Sequence, residues 1–349
     1  MKKRFLGIPI SIVTVLITAL VFSAFTFQAA MVEAKSDNWP AAITLGSRSI
    51  GSSGYFEGVG VGQMIEQYTR VPVSIIPTAG STAICNLMAR GDAQMGVITA
   101  FDAYNAFRGK EIYKKKIPLR CIAKGGGSVF GFIVKAGSGI NSLKDLKGRR
   151  VMGNYIGSEV TKNVNLAYLH AAGLTEKDMK WQSYTSIKES LNALVEGSTE
   201  ACGVPIGSGG AIFLQLGTKI DWTVVKMTDA EIAAAAKELP SCPPSTQPKG
   251  TYKKVPWDRT GLSAPSYIWV TRDLPEDFVY EITKGIFEHL KEFHKIHSRC
   301  RDYTMEHALD APIAAYHPGA IKYWREKGKW TAELEKKQKA FLAEIGEEK

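Results

Sequence analysis

Short apolar runs bounded by Gly, Pro, Ser and Thr alternate along this chain with stretches whose apolar residues recur at helical spacing. Residues 41–45 read as a short buried strand running into a small-residue loop from Gly46 to Phe56. A helix carrying Val59, Gln63, Ile65 and Glu66 should follow. Residues 73–76 give the next strand, and Thr78-Ala79-Gly80-Ser81 turns into a helix through Cys85, Leu87 and Met88. Residues 121–123 and 129–134 read as two strands, 143–146 as one helical turn stopped by Gly148, and 149–152 and 267–270 as further strands. The spacing of Phe278, Ile282, Ile286, Leu290 and Phe293 predicts one amphipathic helix, and 334–345 predicts another. Residues 241–261, rich in Pro, Gly, Ser and Thr, read as an irregular connection. Strands alternating with helices put the chain in the α/β class.

One stretch has an echo. Asn86-Leu87-Met88-Ala89-Arg90-Gly91 followed by Asp92 to Val97 resembles Asn192-Ala193-Leu194-Val195-Glu196-Gly197 followed by Ser198 to Val204. Each reads as a helix end, a Gly stop in left-handed backbone, and a small-residue strand. Each is preceded by a strand and a hydroxyl-bearing turn, Thr78-Ala79-Gly80-Ser81 or Ser183-Tyr184-Thr185-Ser186. Taken literally, the echo says that each half holds a similar α/β unit.

The N-terminus changes the expected location. Lys2, Lys3 and Arg4, an uncharged apolar run from Phe5 through Phe27, and Val32-Glu33-Ala34 before Lys35 have the order of a secretory signal over 1–34. The run is also long enough for an uncleaved membrane anchor. Either way the expected location is periplasmic. The remaining chain is long enough for two lobes, because single cores stop growing near ~250–300 residues. Net charge is +10, and removing Lys2, Lys3, Arg4 and Glu33 leaves 10 − 3 + 1 = +8. The positive residues are dispersed, which argues against a nucleic-acid partner and leaves a mild preference for anions. Cys85, Cys121, Cys202, Cys242 and Cys300 lack metal spacing and read as small buried residues.

Enzyme motifs are missing: no phosphate-loop G-x-x-x-x-G-K-[ST], no H-E-x-x-H and no G-x-S-x-G. Gly58, Gly60 and Gly62 fall where a helix should be and suit close helix–sheet packing. His289, His294 and His297 could hold a metal by spacing, but their Lys and Arg neighbours favour a solvated polar face. No catalytic residue, metal or cofactor is expected. What remains is a set of Gly/Ser/Thr loops at strand-to-helix junctions: 47–55, 78–81, 99–102, 153–158 and 205–210. Ligands bind at such junctions in open α/β sheets, and helix N-termini there favour anions. Hydroxyls of Ser49, Ser52, Ser53, Ser81 and Ser158 could complete a pocket without any Lys or Arg, although each alone could simply cap a helix.

These segments resemble the TAXI family of TRAP-transporter solute receptors, in the type II periplasmic binding protein superfamily. Ser53-Gly54-Tyr55-Phe56 is similar to the end of that family's glycine/threonine loop, and Thr78-Ala79-Gly80-Ser81 with Asn86-Leu87 to its T-G-G-S-x-x-N-L segment. Gly91-Asp92-Ala93-Gln94-Met95-Gly96, Leu143 to Val151 and His317-Pro318-Gly319-Ala320 through Gly328 match further motifs. The first loop departs from the pattern, with Ser-Ile-Gly-Ser-Ser-Gly where the family has more Gly and Thr, and so leaves the ligand open. The resemblance implies a two-lobed type II periplasmic-binding fold. Lobe 1 would be 41–132 plus 262–349 and lobe 2 would be 133–261, with a ligand cleft between them and two hinge strands near Phe132 and Tyr267. It implies binding of a small carboxylated solute, such as glutamate, glutamine or a related dicarboxylate, by hinge closure and delivery to a TRAP-type membrane permease driven by an ion gradient. The alternatives are a receptor serving a membrane sensor and an exported enzyme on the same fold. Carried over by motif, the ligand contacts are Ser52, Ser53, Tyr55, Gly80, Ser81, Asn86 and Thr99; Tyr155 and Ser158 follow by position only.

Overall fold

A computed structural model describes residues 38–207, 210–252 and 255–347. The expected signal segment at 1–34 lies outside the described residues. The first α/β unit is β1 (Ile43–Ser47), α1 (Ser53–Thr69), β2 (Val73–Pro77), α2 (Ser81–Arg90) and β3 (Met95–Thr99), followed by α3 (Ala100–Arg108). β1 lies between β2 and β3 and is parallel to both. The second unit is β5 (Arg150–Tyr155), α4 (Glu159–Ala171), β6 (Lys180–Tyr184), α5 (Ile187–Glu196) and β7 (Ala201–Ile206), followed by α6 (Ala211–Lys219). Here β5 lies between β6 and β7, again parallel. The echo in the sequence therefore marks two copies of one topology. Its Gly stops serve as predicted: Gly91 and Gly197 end α2 and α5 at φ 80° and 82°, a left-handed backbone that glycine adopts at little cost.

Two long strands join the copies. β4 (Leu119–Lys135) and β10 (Arg259–Thr271) give the sheet order β2-β1-β3-β10-β4-β7-β5-β6. The end of β10 pairs with β3 through Ser266–Val270, while the far end of β4 pairs with β7 through Val129–Val134. The two strands therefore pass from one copy to the other between Gly125 and Ser128 on β4 and between Ser263 and Ser266 on β10, and their register shifts between Pro265 and Tyr267 and again between Ile268 and Trp269. Each strand also feeds a core on either side. Cys121, Tyr267 and Trp269 pack with Ile84 and Phe107, whereas Phe132, Leu262 and Ala264 pack with Val164 and Leu169. β8 (Trp222–Val224) pairs with β4. The remaining described α-helices are α7 (Asp229–Glu238), α8 (Glu276–Glu288), α9 (Leu290–Ile296), α10 (Pro318–Glu326) and α11 (Ala332–Ile345).

Several expectations are corrected. The two strands expected at 121–123 and 129–134 are one, because Gly125-Gly126-Gly127 continues the extended backbone. The connection at 241–261 is not wholly irregular: β9 (Pro244–Gln247) pairs with the start of β10 at Arg259–Leu262. Buried Arg259 fastens that corner, donating to Phe130 O (2.9 Å), Val129 O (3.0 Å) and Gln247 Oε1 (2.9 Å). The helix expected from Phe278 to Phe293 breaks at His289, which leaves helical geometry at φ −118°, ψ 33°. The histidines expected on a solvated face are half-buried, and each is also engaged by a neighbour. His289 stacks on Tyr68 at 3.9 Å, His297 on Phe56 at 4.8 Å, and His294 Nε2 donates to Tyr303 O. All five cysteines are buried and unpaired. Gly58 and Gly62 permit close helix–sheet contact as expected, since a Cβ there would lie 2.3 Å from Ser47 Oγ and 2.7 Å from Ile75 Cδ1. Among the described residues no helix is long and apolar enough to cross a membrane.

Candidate functional site

In each copy the carboxyl ends of the parallel strands point the same way, and the loops that follow them line one cavity. Its walls include Ser49, Ser52 and Ser53 after β1, Gly80 and Ser81 after β2, and Thr99 after β3. Tyr155 and Ser158 after β5, Ile187 after β6, and Pro205 and Phe213 around the β7–α6 turn line it from the second copy. Ser208 and Gly209 of that turn lie outside the described residues.

The two sides touch directly across the cavity. Tyr155 donates its hydroxyl to Ala79 O and lies 2.8 Å from Ser49 Oγ. Glu159 N–H, at the start of α4, donates to Thr82 Oγ1 at 3.3 Å, and Ile212 N–H donates to Gly51 O at 3.3 Å. Backbones meet closely where side chains are small: a Cβ on Gly80 would sit 2.5 Å from Gly157 O, and one on Gly207 would sit 1.9 Å from Ser53 Oγ. The cavity volume is about 30 Å³, room for a few water-sized groups. A larger molecule enters only if the Tyr155 bridge gives way.

Several of the hydroxyls also hold the loops. Ser52 Oγ accepts from Tyr55 N–H (3.1 Å) as the N-cap of α1. Ser81 Oγ accepts from Thr99 N–H at 3.1 Å. Thr99 donates to Asp102 Oδ2 (2.8 Å), while Thr82 (2.7 Å) and Tyr113 (3.2 Å) donate to Oδ1. Burial pushes the Asp102 carboxyl above its ordinary range, and those three hydroxyls pull against that rise. Burial likewise pushes the Tyr155 phenol up to about 12, so it remains a neutral donor.

Charge enters from one side only. Arg48, between Ser47 and Ser49, is the one charged residue among the described cavity walls. Its Nη2 pairs with Glu57 Oε2 at 3.1 Å, while its buried Nε has no hydrogen-bond partner. Burial lowers the Arg48 pKa, and Glu57 opposes that. Glu57 is fully buried and heavily engaged: Ser266 Oγ and Tyr303 OH each donate to Oε1 at 2.7 Å, and Arg299 Nε reaches Oε2 at 3.4 Å. Arg299 in turn donates to Gly127 O at 2.8 Å, to Gly126 O and to Asp302 Oδ2 at 2.8 Å. An ionic chain thus runs from the cavity wall to the glycines where β4 crosses between the copies.

Of the residues expected from sequence, Ser49, Ser52, Ser53, Gly80, Ser81, Thr99, Tyr155 and Ser158 line this cavity. Asn86 does not. It lies five positions past Ser81, about 140° around α2, and faces solvent. Tyr55 is also absent from the walls; its ring packs edge-on against Phe56 at 5.6 Å. Sequence reasoning missed Ser128, Phe213 and above all Arg48. Arg48 sat inside a loop already singled out, but only the hydroxyls of that loop were weighed. A lone Arg in a run of small residues was the available signal.

The profile of the NMT1-like family matches residues 45–328. No curated protein matches the chain. Among solved structures, PhnD1 from Prochlorococcus marinus (MIT 9301), in complex with methylphosphonate, is similar with TM-score 0.54 and 13% identity, covering 83% of this chain and 99% of that one. The alkanesulfonate-binding protein SsuA from Xanthomonas axonopodis pv. citri, bound to MOPS, is similar with TM-score 0.48 and 13% identity, covering 88% and 94%. The strand order and the PhnD1 likeness together establish the expected α/β fold, the two-lobed periplasmic-binding arrangement with two connecting strands.

Proposed function

The chain belongs to the NMT1-like family, and from that premise we propose that it is an exported solute receptor. It closes over a small carboxylated molecule and hands it to a membrane transporter without transforming it. The observation that carries this reading is the cavity itself, built from strand-end loops of both copies and bridged across by Tyr155. A ligand that touches both sides stabilises the closed arrangement by its differential contacts with the open and closed states. The lobes are those expected, 41–132 plus 262–349 and 133–261, but bending occurs where β4 and β10 cross, between Gly125 and Ser128 and between Ser263 and Ser266. It does not occur at Phe132 or Tyr267, which pack in the second and first cores, so 129–132 moves with the second lobe. The signal at 1–34 places the receptor in the periplasm, and the resemblance to TAXI receptors makes its membrane partner a TRAP-type permease.

The test is a thermal-shift screen of the refolded mature chain against amino acids, dicarboxylates, keto acids, sulfonates and phosphonates. A ligand bound only by the native state adds about 2.7 kcal/mol of stability at 100 times Kd. The expected outcome is a rise in Tm with one chemical class, the compound being recovered unchanged by mass spectrometry. Turnover of the compound would replace the receptor reading with an enzymatic one.

A further inference from the structure

Resting on the receptor reading, we propose that Arg48 is the charge-recognising residue of the cavity and that its ligand is an acid carrying one negative charge, docked on the Nε edge of the guanidinium. Three observations carry this. Arg48 lines the cavity, beside Gly54 of the same wall, and its buried Nε–H has no acceptor. A buried donor left unsatisfied is destabilising, and an acidic oxygen would relieve it. The guanidinium is also held in place: Glu57 fixes the Nη2 edge at 3.1 Å, and the planar group lies over Gly54, where a Cβ would come 2.5 Å from Nε. Gly54 is therefore the space that lets an arginine lie flat at the start of α1.

The third observation is the charge balance. Glu57 is shared by Arg48 and Arg299, and Asp302, with its side chain 41% exposed, pairs only with Arg299. The four groups are neutral as a whole, but Asp302 sits at the exposed end on Arg299, so Arg48, at the cavity end, has only a share of one buried carboxylate. No other described wall residue is charged, so a second negative charge on the ligand would be buried without a partner. Such a group is strongly disfavoured. The inference therefore narrows the proposed ligand from carboxylated solutes in general to monoanions.

Isothermal titration of the full mature chain tests it, with pyruvate, propionate, methylphosphonate, succinate and the uncharged propionamide as probes. The wild type should bind a monoanionic probe and neither propionamide nor doubly ionised succinate. Arg48→Gln should weaken that binding by roughly 10- to 100-fold, the range expected for a hydrogen bond to a charged group. Arg48→Lys should restore only part, because an ammonium supplies charge without the planar fork. Gly54→Ala keeps every charge and suits the helix, but its methyl displaces Nε, so it should lose acid binding while the fold, followed by circular dichroism, is retained. Unchanged acid affinity in both Arg48→Gln and Gly54→Ala overturns the inference. So does a neutral probe binding as tightly as its acid, and in either case the receptor reading stands. A wild type that binds none of these probes, together with a thermal-shift screen that finds no solute, overturns both.

Discussion

At the scale of single residues, His317 shows how a motif quoted for family likeness has a local physical reason. It caps α10, with Nδ1 accepting from Gly319 N–H at 3.2 Å, Nε2–H donating to Leu274 O at 3.0 Å, and Pro318 in the first helical turn. Both nitrogens are committed to the neutral ring, and burial lowers its pKa from 6.5 to about 4. Because the folded value lies below the unfolded one, the unfolded chain binds the extra proton between them. The stabilisation is complete above pH 6.5 and is lost as pH falls toward 4. The unfolding free energy from urea titration should therefore drop by about 1.6 kcal/mol between pH 6.5 and pH 5, and His317→Asn, which keeps a capping oxygen, should flatten that slope. Gly80 makes a different case, since its extended backbone would accept any residue and only the opposing Gly157 O forbids a methyl. Gly80→Ala should leave the cores intact but hold the lobes apart, seen as a larger radius of gyration in X-ray scattering; an unchanged radius would remove Gly80 from the closing contact. Eight of the ten expected contacts line the cavity because loop position alone places them. Asn86 fails because helical rotation carries it away, and Arg48 offered only the signal of a lone Arg among small residues, its pairing with buried Glu57 being visible only in the fold.

At the scale of elements, β4 is where local reading and tertiary context part. Three consecutive glycines look like a break, yet the extended backbone continues through them because other parts of the chain press against it. A Cβ at Gly125 would lie 2.4 Å from Tyr303 Cζ, and one at Gly126 would lie 2.1 Å from Asp302 Oδ2. Those contacts come from a turn more than 170 residues later, so no local pattern could announce them. The break between α8 and α9 is similar: the apolar spacing is continuous through Leu290 and Phe293, and the stacking of His289 on Tyr68 sits at the interruption. Helix ends, by contrast, were legible, because Gly91 and Gly197 act through their own backbone. The same turn fixes Arg299, which is 2% exposed and links Glu57 to the carbonyls of Gly126 and Gly127. Arg299→Met should destabilise the chain by about 3–5 kcal/mol, since it strips a buried carboxylate of one counter-charge and two carbonyls of their donor. Chemical denaturation measures this, and a loss under 1 kcal/mol would mean that Arg48 alone neutralises Glu57.

At the scale of the whole molecule, the question is whether two copies of one topology behave as two folding units. The duplicated order β2-β1-β3 and β6-β5-β7 was faintly legible in the echoed helix ends, whereas the sharing of β4 and β10 was not, since pairing between residues more than 130 apart leaves no local trace. That sharing argues for one cooperative unit. Unfolding the second copy would strip Phe132 and Val134 from their core and with them the far end of the strand whose Leu119 and Cys121 pack the first. Neither copy can keep both long strands if the other melts. The lobes should therefore hinge as bodies yet unfold together. Hydrogen exchange under native conditions with rising urea tests this on the central strands of each copy. Amides of β3 and β7 should converge on one free energy of opening, equal to the global value, before the unfolding transition. If β7 opened at markedly lower free energy than β3, the second lobe would be a separate folding unit and the two connecting strands would be flexible tethers, unable to carry the ionic link between cavity and crossing.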